Sequence, residues 1–364
     1  MIKKTILMLL VLVGGVMSAN AEDDIYLRTG FKGVNVWGSD EADYKFTYVE
    51  TNANNEDVYT YTINASDIQE SDVWFRIHIS GWGAQICPYT SNGSYTFQFS
   101  NGQNETYGAK YEKQYFQGDQ LSFGIAHHLI NASQYKITLF RGKNEVDYEN
   151  EHCRVMWIKV EIVSMPVKIG SSGYATFSCD RALNFAGTDI KAYVASSVNS
   201  TVVNMTSVTN APAGTGLFLK GVTAGATANI PVVEESQATA VSGNLLYPGT
   251  GESVASDAAD AVDCKYRYVF QNQTSGAGAG FYKLPTTGVT IPKGKAYLEI
   301  SKDDAPKAPS FSIDLDGETT GIKVINFNED NNQNNGQMFD LQGRRIVEPT
   351  KGVYIVNGKK VIIK

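Results

Sequence analysis

The stretch "DVWFRIHISGWG" holds the residues whose types and spacing could do chemistry. Trp74, Arg76 and His78 alternate with Val73, Phe75, Ile77 and Ile79, and Trp82 follows in a Gly81-Trp82-Gly83 turn. A period of two is that of a strand, so the aliphatic and phenyl set faces a core and Trp74, Arg76 and His78 share the opposite face. An indole offers an apolar plate to the C–H face of a sugar ring, while Arg and His donate hydrogen bonds to hydroxyls. The pattern is that of a glycan platform. It is also the pattern of an ordinary outer strand face partly covered by a loop.

Other residue types capable of chemistry fall in less telling patterns. His127 and His128 are adjacent, which on a strand sends them to opposite faces, and no HExxH helix surrounds them. His152-Cys153 lacks the surroundings of a cysteine protease. "GTGES" and "GAGAG" lack the Lys-Ser/Thr of a phosphate loop and read as turns, and "DLDGE" lacks most calcium-loop ligands. Glycoside hydrolysis needs two carboxylates about 5 to 9.5 Å apart, and no pair stands out. No catalytic residue, metal ligand or cofactor site is therefore assigned.

The elements that would position the platform are strands. Alternating runs at Tyr44–Glu50, Val58–Asn64, Val73–Ile79, Tyr95–Ser100, Tyr135–Phe140 and Val155–Val163 are separated by Asn, Gly, Ser and Asp clusters, and no window carries a helical stripe. All four tryptophans precede Ser164, and the chain beyond is rich in Ala, Gly, Thr and Val, which sets a domain joint at Met165-Pro166. The expected fold is all-β, with two tandem antiparallel β-sandwich-like domains over 22–165 and 166–316. An Asn-rich linker over 317–337 and a short C-terminal β-hairpin tail over 338–364 follow. In that tail Asn357-Gly358 separates two alternating runs, the signal of a two-residue hairpin turn.

Met1 to Ala21 reads as a secretory signal peptide, with Lys3 and Lys4 ahead of an apolar run and Ala19-Asn20-Ala21 at the cut. The net charge of -7 becomes -9 once these lysines leave, with 29 basic against 38 acidic residues. An acidic surface without a basic block argues against nucleic acid. No later stretch approaches the about 20 apolar residues of a membrane helix, so the mature chain carries no transmembrane segment. Export permits disulfides, and the two cysteines in each domain suggest Cys87 with Cys153 and Cys179 with Cys264, the alternative being free buried thiols.

Three segments resemble known families. "MFDLQGRRIVEPTKGVYIVNGKKVIIK", with Phe339-Asp340-Leu341, Gly343-Arg344-Arg345, Lys351-Gly352-Val353-Tyr354 and a Lys-rich last strand, resembles the C-terminal sorting domain of type IX secretion cargo. That resemblance implies export machinery as a partner and a secreted or outer-surface location, with the periplasm as the alternative. "VKIGSSGYATFSCDRALNFAGTDIKAYVA", "APAGTGLFLKG" and "VTIPKGKAYLEI" resemble a β-module recurrent in secreted proteins of the same bacteria. The Trp-rich first part loosely resembles the glycan-binding β-sandwich modules of starch-utilisation surface proteins.

Together these features lead to the expectation of a non-catalytic secreted or surface protein whose first domain binds a glycan or another extracellular ligand, the second serving as spacer. The alternatives are a secreted glycosidase or peptidase of unrecognised type and a structural or adhesive surface protein.

Overall fold

The computed structural model describes residues 24–29, 31, 42–80, 85–88, 93–100, 103–112, 122–142, 156–258, 264–273, 278–304, 308–316, 318–319, 323–324, 338–340, 345–346, 350–356 and 359–363. The signal-peptide stretch, Trp82 with its turn, His152, Cys153 and the Asn357-Gly358 turn lie outside the described residues. The protein is all-β: helix among the described residues amounts to one turn at His127–Ile130 and three short 3-10 segments. No helix of the described residues is long and apolar enough to cross a membrane.

The chain forms two compact units, residues 1–98, 106–129 and 136–160 in the first and 99–105, 130–135 and 161–364 in the second. Met165 and Pro166 thus lie within the thirteen-residue strand Met156–Lys168, which gives its first five residues to one unit and the rest to the other.

In the first unit the strand order runs Thr47–Thr51, Glu56–Asn64, Gln134–Gly142, Met156–Lys168, Asn104–Glu112, Gln85–Pro88, Val73–Ile79, Phe123–Ile125, Tyr95–Phe97, and Ile25–Thr29 also pairs with Val73–Ile79. Alternation builds the core. Val73, Phe75, Ile77 and Ile79 are buried along one face with Ile25, Leu27, Ile86, Phe123 and Ile125, and the Phe75 and Phe123 rings stack 5.4 Å apart. Removing such an apolar surface from water contributes about 25 cal/mol per Å². The last pairing, Tyr95–Phe97 with Phe123–Ile125, is parallel, so the sheet is not purely antiparallel.

The second unit holds a ten-stranded sheet ordered Tyr174–Phe177, Leu217–Gly221, Ile190–Asn199, Val202–Val208, Ser310–Leu315, Ala279–Lys283, Lys265–Asn272, Ala296–Ser301, Leu246–Pro248, with Glu318–Thr319 beside Ser310–Leu315. Its two cores differ in character. One is aromatic, around Phe218, Tyr266, Tyr268, Phe281 and Phe311, and the other aliphatic, around Ile169, Ile190, Leu217, Leu219 and Ile230.

Those two cores explain a correction. Cys179 and Cys264 are free thiols, so the expected bridge between them is not formed. Cys264 is buried in the aromatic core, whereas Cys179 packs on the aliphatic one, with its Sγ 3.7 Å from Asp180 Oδ1. Cys87 is buried in Gln85–Pro88.

The tail is larger than a hairpin. Gly352–Val356 and Lys359–Ile363 do pair, with Val356 opposite Lys359 and two residues between them. Met338–Phe339, Arg345–Ile346 and Lys323–Val324 extend them to a five-stranded sheet. Met338, Tyr354 and Val361 are buried, and the Tyr354 hydroxyl donates to the Thr350 carbonyl at 2.8 Å. A two-stranded hairpin is marginal in water, whereas three or more strands with an apolar face can hold. Lys323–Val324 and Glu318–Thr319 come from the range that reads as linker, so that range is not wholly a tether.

Candidate functional site

Strand Val73–Ile79 lies between Ile25–Thr29 on one side and Phe123–Ile125 and Gln85–Pro88 on the other. The register sets Arg28 opposite Arg76, Tyr26 and Gln85 opposite His78, and Gly124 opposite Trp74. Directly paired residues share a face. Trp74, Arg76 and His78 therefore stand together on the side away from the core, joined by Arg28, Gln85 and Gly124.

Within that face the three play different parts. Trp74 is 39% exposed. Its ring covers Gly124: a Cβ on Gly124 would meet Trp74 Cζ3 at 2.7 Å and Cε3 at 3.0 Å, with Thr96 Oγ1 at 3.1 Å. The absent side chain is the seat on which the indole rests, an arrangement by which an aromatic shields a strand glycine.

Arg76 is only 6% exposed, and its Nε donates to Ser122 Oγ at 3.1 Å. His78 is half-buried. Arg28 Nη2 donates to His78 Nδ1 at 2.9 Å, which puts the imidazole proton on Nε2. Arg28 and Gln85 are buried beside it. The expected platform is thus uneven, with an open indole over Gly124 and, farther along the same strand face, buried or half-buried polar groups that are hydrogen-bonded. Arg76 is not the freely exposed donor that alternation alone suggests, because the side chains beside it, Arg28 paired with it and Ser122 at its Nε, come from elements outside its own strand.

Sequence reasoning missed Arg28, Gly124 and Trp157. Arg28 sits in Ile25–Thr29, a strand too short and too mixed for its alternation to stand out. Gly124 is the middle of a three-residue strand. Trp157 was legible. It is 42% exposed and alternates with buried Met156, Ile158 and Val160, so the rule that singled out Trp74 applies to it equally.

The remaining candidates do not assemble a reaction centre. His128 Nδ1 lies 2.6 Å from Asp72 Oδ1 at the surface, and burial pulls the His127 imidazole below its ordinary value. The pair occupies one helical turn rather than a strand or loop. Burial pushes the Cys179 thiol up to about 11, the reverse of an activated nucleophile. In the second unit Glu299 accepts from Arg267 Nε at 2.8 Å and Lys265 Nζ at 3.0 Å, and Asp257 from Arg267 Nη1 at 3.1 Å. Those charges are spent on each other. No group of three His, Cys, Asp or Glu residues suited to a metal occurs among the described residues.

Comparison with known proteins leaves the geometry to speak for itself: no family model, no curated protein and no solved structure matches this chain.

Proposed function

We propose that this is a non-catalytic secreted or surface-attached protein that binds a glycan, or another extracellular ligand with an apolar ring face, through the Trp74 face of its first unit. The observation that carries the reading is the seating of the indole on Gly124 beside the Thr96 hydroxyl, with 39% of Trp74 left to solvent. A rigid aromatic plate loses little entropy when a sugar ring stacks on it. Farther along the same strand, the Arg28-His78 and Arg76-Ser122 hydrogen bonds fix it to its neighbours. Binding of the purified protein to a glycan array, with Trp74→Ala alongside, tests the reading. The substitution is expected to weaken binding about tenfold or more while the variant stays folded, with a modestly lower melting temperature because Gly124 loses its cover.

The same reading gives the tail its role. Its likeness to sorting domains in Met338–Lys364, and a sheet separate from that of the preceding module, support an export address carried at the C-terminus.

A further inference from the structure

A groove in the second unit has the chemistry of a binding site unrelated to Trp74. Strand Tyr174–Phe177 ends the ten-stranded order, so only one of its edges is paired, to Leu217–Gly221. Gly221 N donates to Gly173 O at 3.0 Å. In antiparallel pairing the bonded positions alternate, so Gly173, Ala175 and Phe177 turn their peptide groups toward Leu217–Gly221 and Thr176 turns its own outward.

Both ends of that outward edge are pinned. Gly170 N donates to Tyr174 O at 3.1 Å, Ser178 N to Gly294 O at 3.3 Å, and Ser178 Oγ to Lys295 O at 2.9 Å. Between the pins lies a groove of about 440 Å³, within the range of ligand sites. Tyr174 and Phe270, 6.3 Å apart edge to face, give it an aromatic wall. The final residues of Lys265–Asn272 extend past their pairing with Ala296–Ser301, which stops at Tyr268, and line the far side.

The lining includes Lys168 and Lys295, both exposed, and no Asp or Glu. On a protein of net charge -7 that local sign is informative. We propose that this groove takes a short, extended, acidic peptide segment, which adds as a strand to the outward edge at Thr176 while its carboxylates meet Lys168 and Lys295. An added strand gains main-chain hydrogen bonds from the edge and specificity from the side chains around it. At about 3.3 Å per residue, the span from Tyr174 to Ser178 suits roughly four residues.

The test is fluorescence anisotropy of the full chain with a labelled, end-capped Glu-Val-Glu-Val-Glu-Val peptide at low and at physiological salt. Three comparisons accompany it: a Lys-Val-Lys-Val-Lys-Val probe, the Glu probe N-methylated at alternate residues, and the Lys168→Glu/Lys295→Glu protein. Both lysines are at the surface, so the variant is expected to melt as the wild type does. Each comparison is expected to bind about tenfold or more weakly than the Glu probe on the wild type, the value of one charge-assisted hydrogen bond. Equal binding of the N-methylated probe overturns strand addition, and equal binding to the charge-reversed protein overturns the acidic ligand. Capture of soluble polygalacturonate with no binding of the Glu probe overturns the peptide altogether. None of these readouts involves Trp74, so failure here and failure of the Trp74 reading remain distinct.

Discussion

Trp74 rests on Gly124, with ring carbon Cζ3 2.7 Å from the point where a Gly124 side chain would begin. Any side chain there must lift the indole from its neighbouring strand. Gly124→Val is therefore expected to destabilise the first unit by about 2 kcal/mol through overpacking, to shift tryptophan fluorescence to the red and to weaken ligand binding. Gly124→Ala should do the same to a smaller degree, measured by denaturant unfolding and by emission maxima.

His78 accepts a hydrogen bond from Arg28, a buried guanidinium. Replacing the acceptor with a ring that has none, His78→Phe, is expected to cost about 2 kcal/mol, the penalty for weakening the satisfaction of a buried charged donor. His78→Asn, whose Oδ1 can take the place of Nδ1, should retain more than half of that. Urea unfolding of the two variants separates the lost hydrogen bond from lost ring packing.

Asp257 accepts from the Lys265 backbone N–H at 2.8 Å and from Arg267 Nη1 at 3.1 Å. That backbone bond, ahead of the Arg267 charge, holds its carboxyl below the usual 3.8. A carboxyl depressed in the folded state stabilises above its unfolded value and loses that contribution as pH falls through the folded value. Asp257→Asn should therefore melt lower than the wild type at pH 7, and the gap should begin to narrow only once the pH falls below 3.8, toward the depressed folded value. A gap that does not narrow at all on acidification below 3.8 contradicts the assignment.

A chain ending at Asn335 lacks every strand of the tail sheet except Lys323–Val324. In a host with type IX export machinery it is expected to stay within the cell envelope while the full chain reaches the surface or the medium. Fractionation and immunoblotting decide the matter. Equal export of both forms contradicts the role given to the tail.

Several features of this fold were legible because alternation is a local property. Val73–Ile79 occupies the residues that the pattern marks, and the run Tyr135–Phe140 lies within the strand Gln134–Gly142. Partners were less legible than strands. Ser310–Leu315 alternates clearly, yet its parallel pairing with Val202–Val208 joins residues about a hundred positions apart, which no local signal encodes. Short strands such as Phe123–Ile125 carry too few residues to show a period, and so the seat beneath Trp74 stayed hidden. For the same reason the face of Arg76 was legible in the sequence and its burial was not. Face follows from the residue's own strand, burial from the strands beside it. The Cys179-Cys264 pairing failed because the two thiols pack against different cores, which no local signal encodes.

The account turns on whether the open indole face of Trp74 binds a ligand. The most direct measurement is a glycan array probed with the wild type and with Trp74→Ala at matched concentration, each shown to be folded by its melting curve. The account predicts wild-type binding to a defined set of glycans that Trp74→Ala loses with its fold intact. Wild-type binding that survives the substitution unchanged, or no binding by the wild type to any glycan, contradicts it.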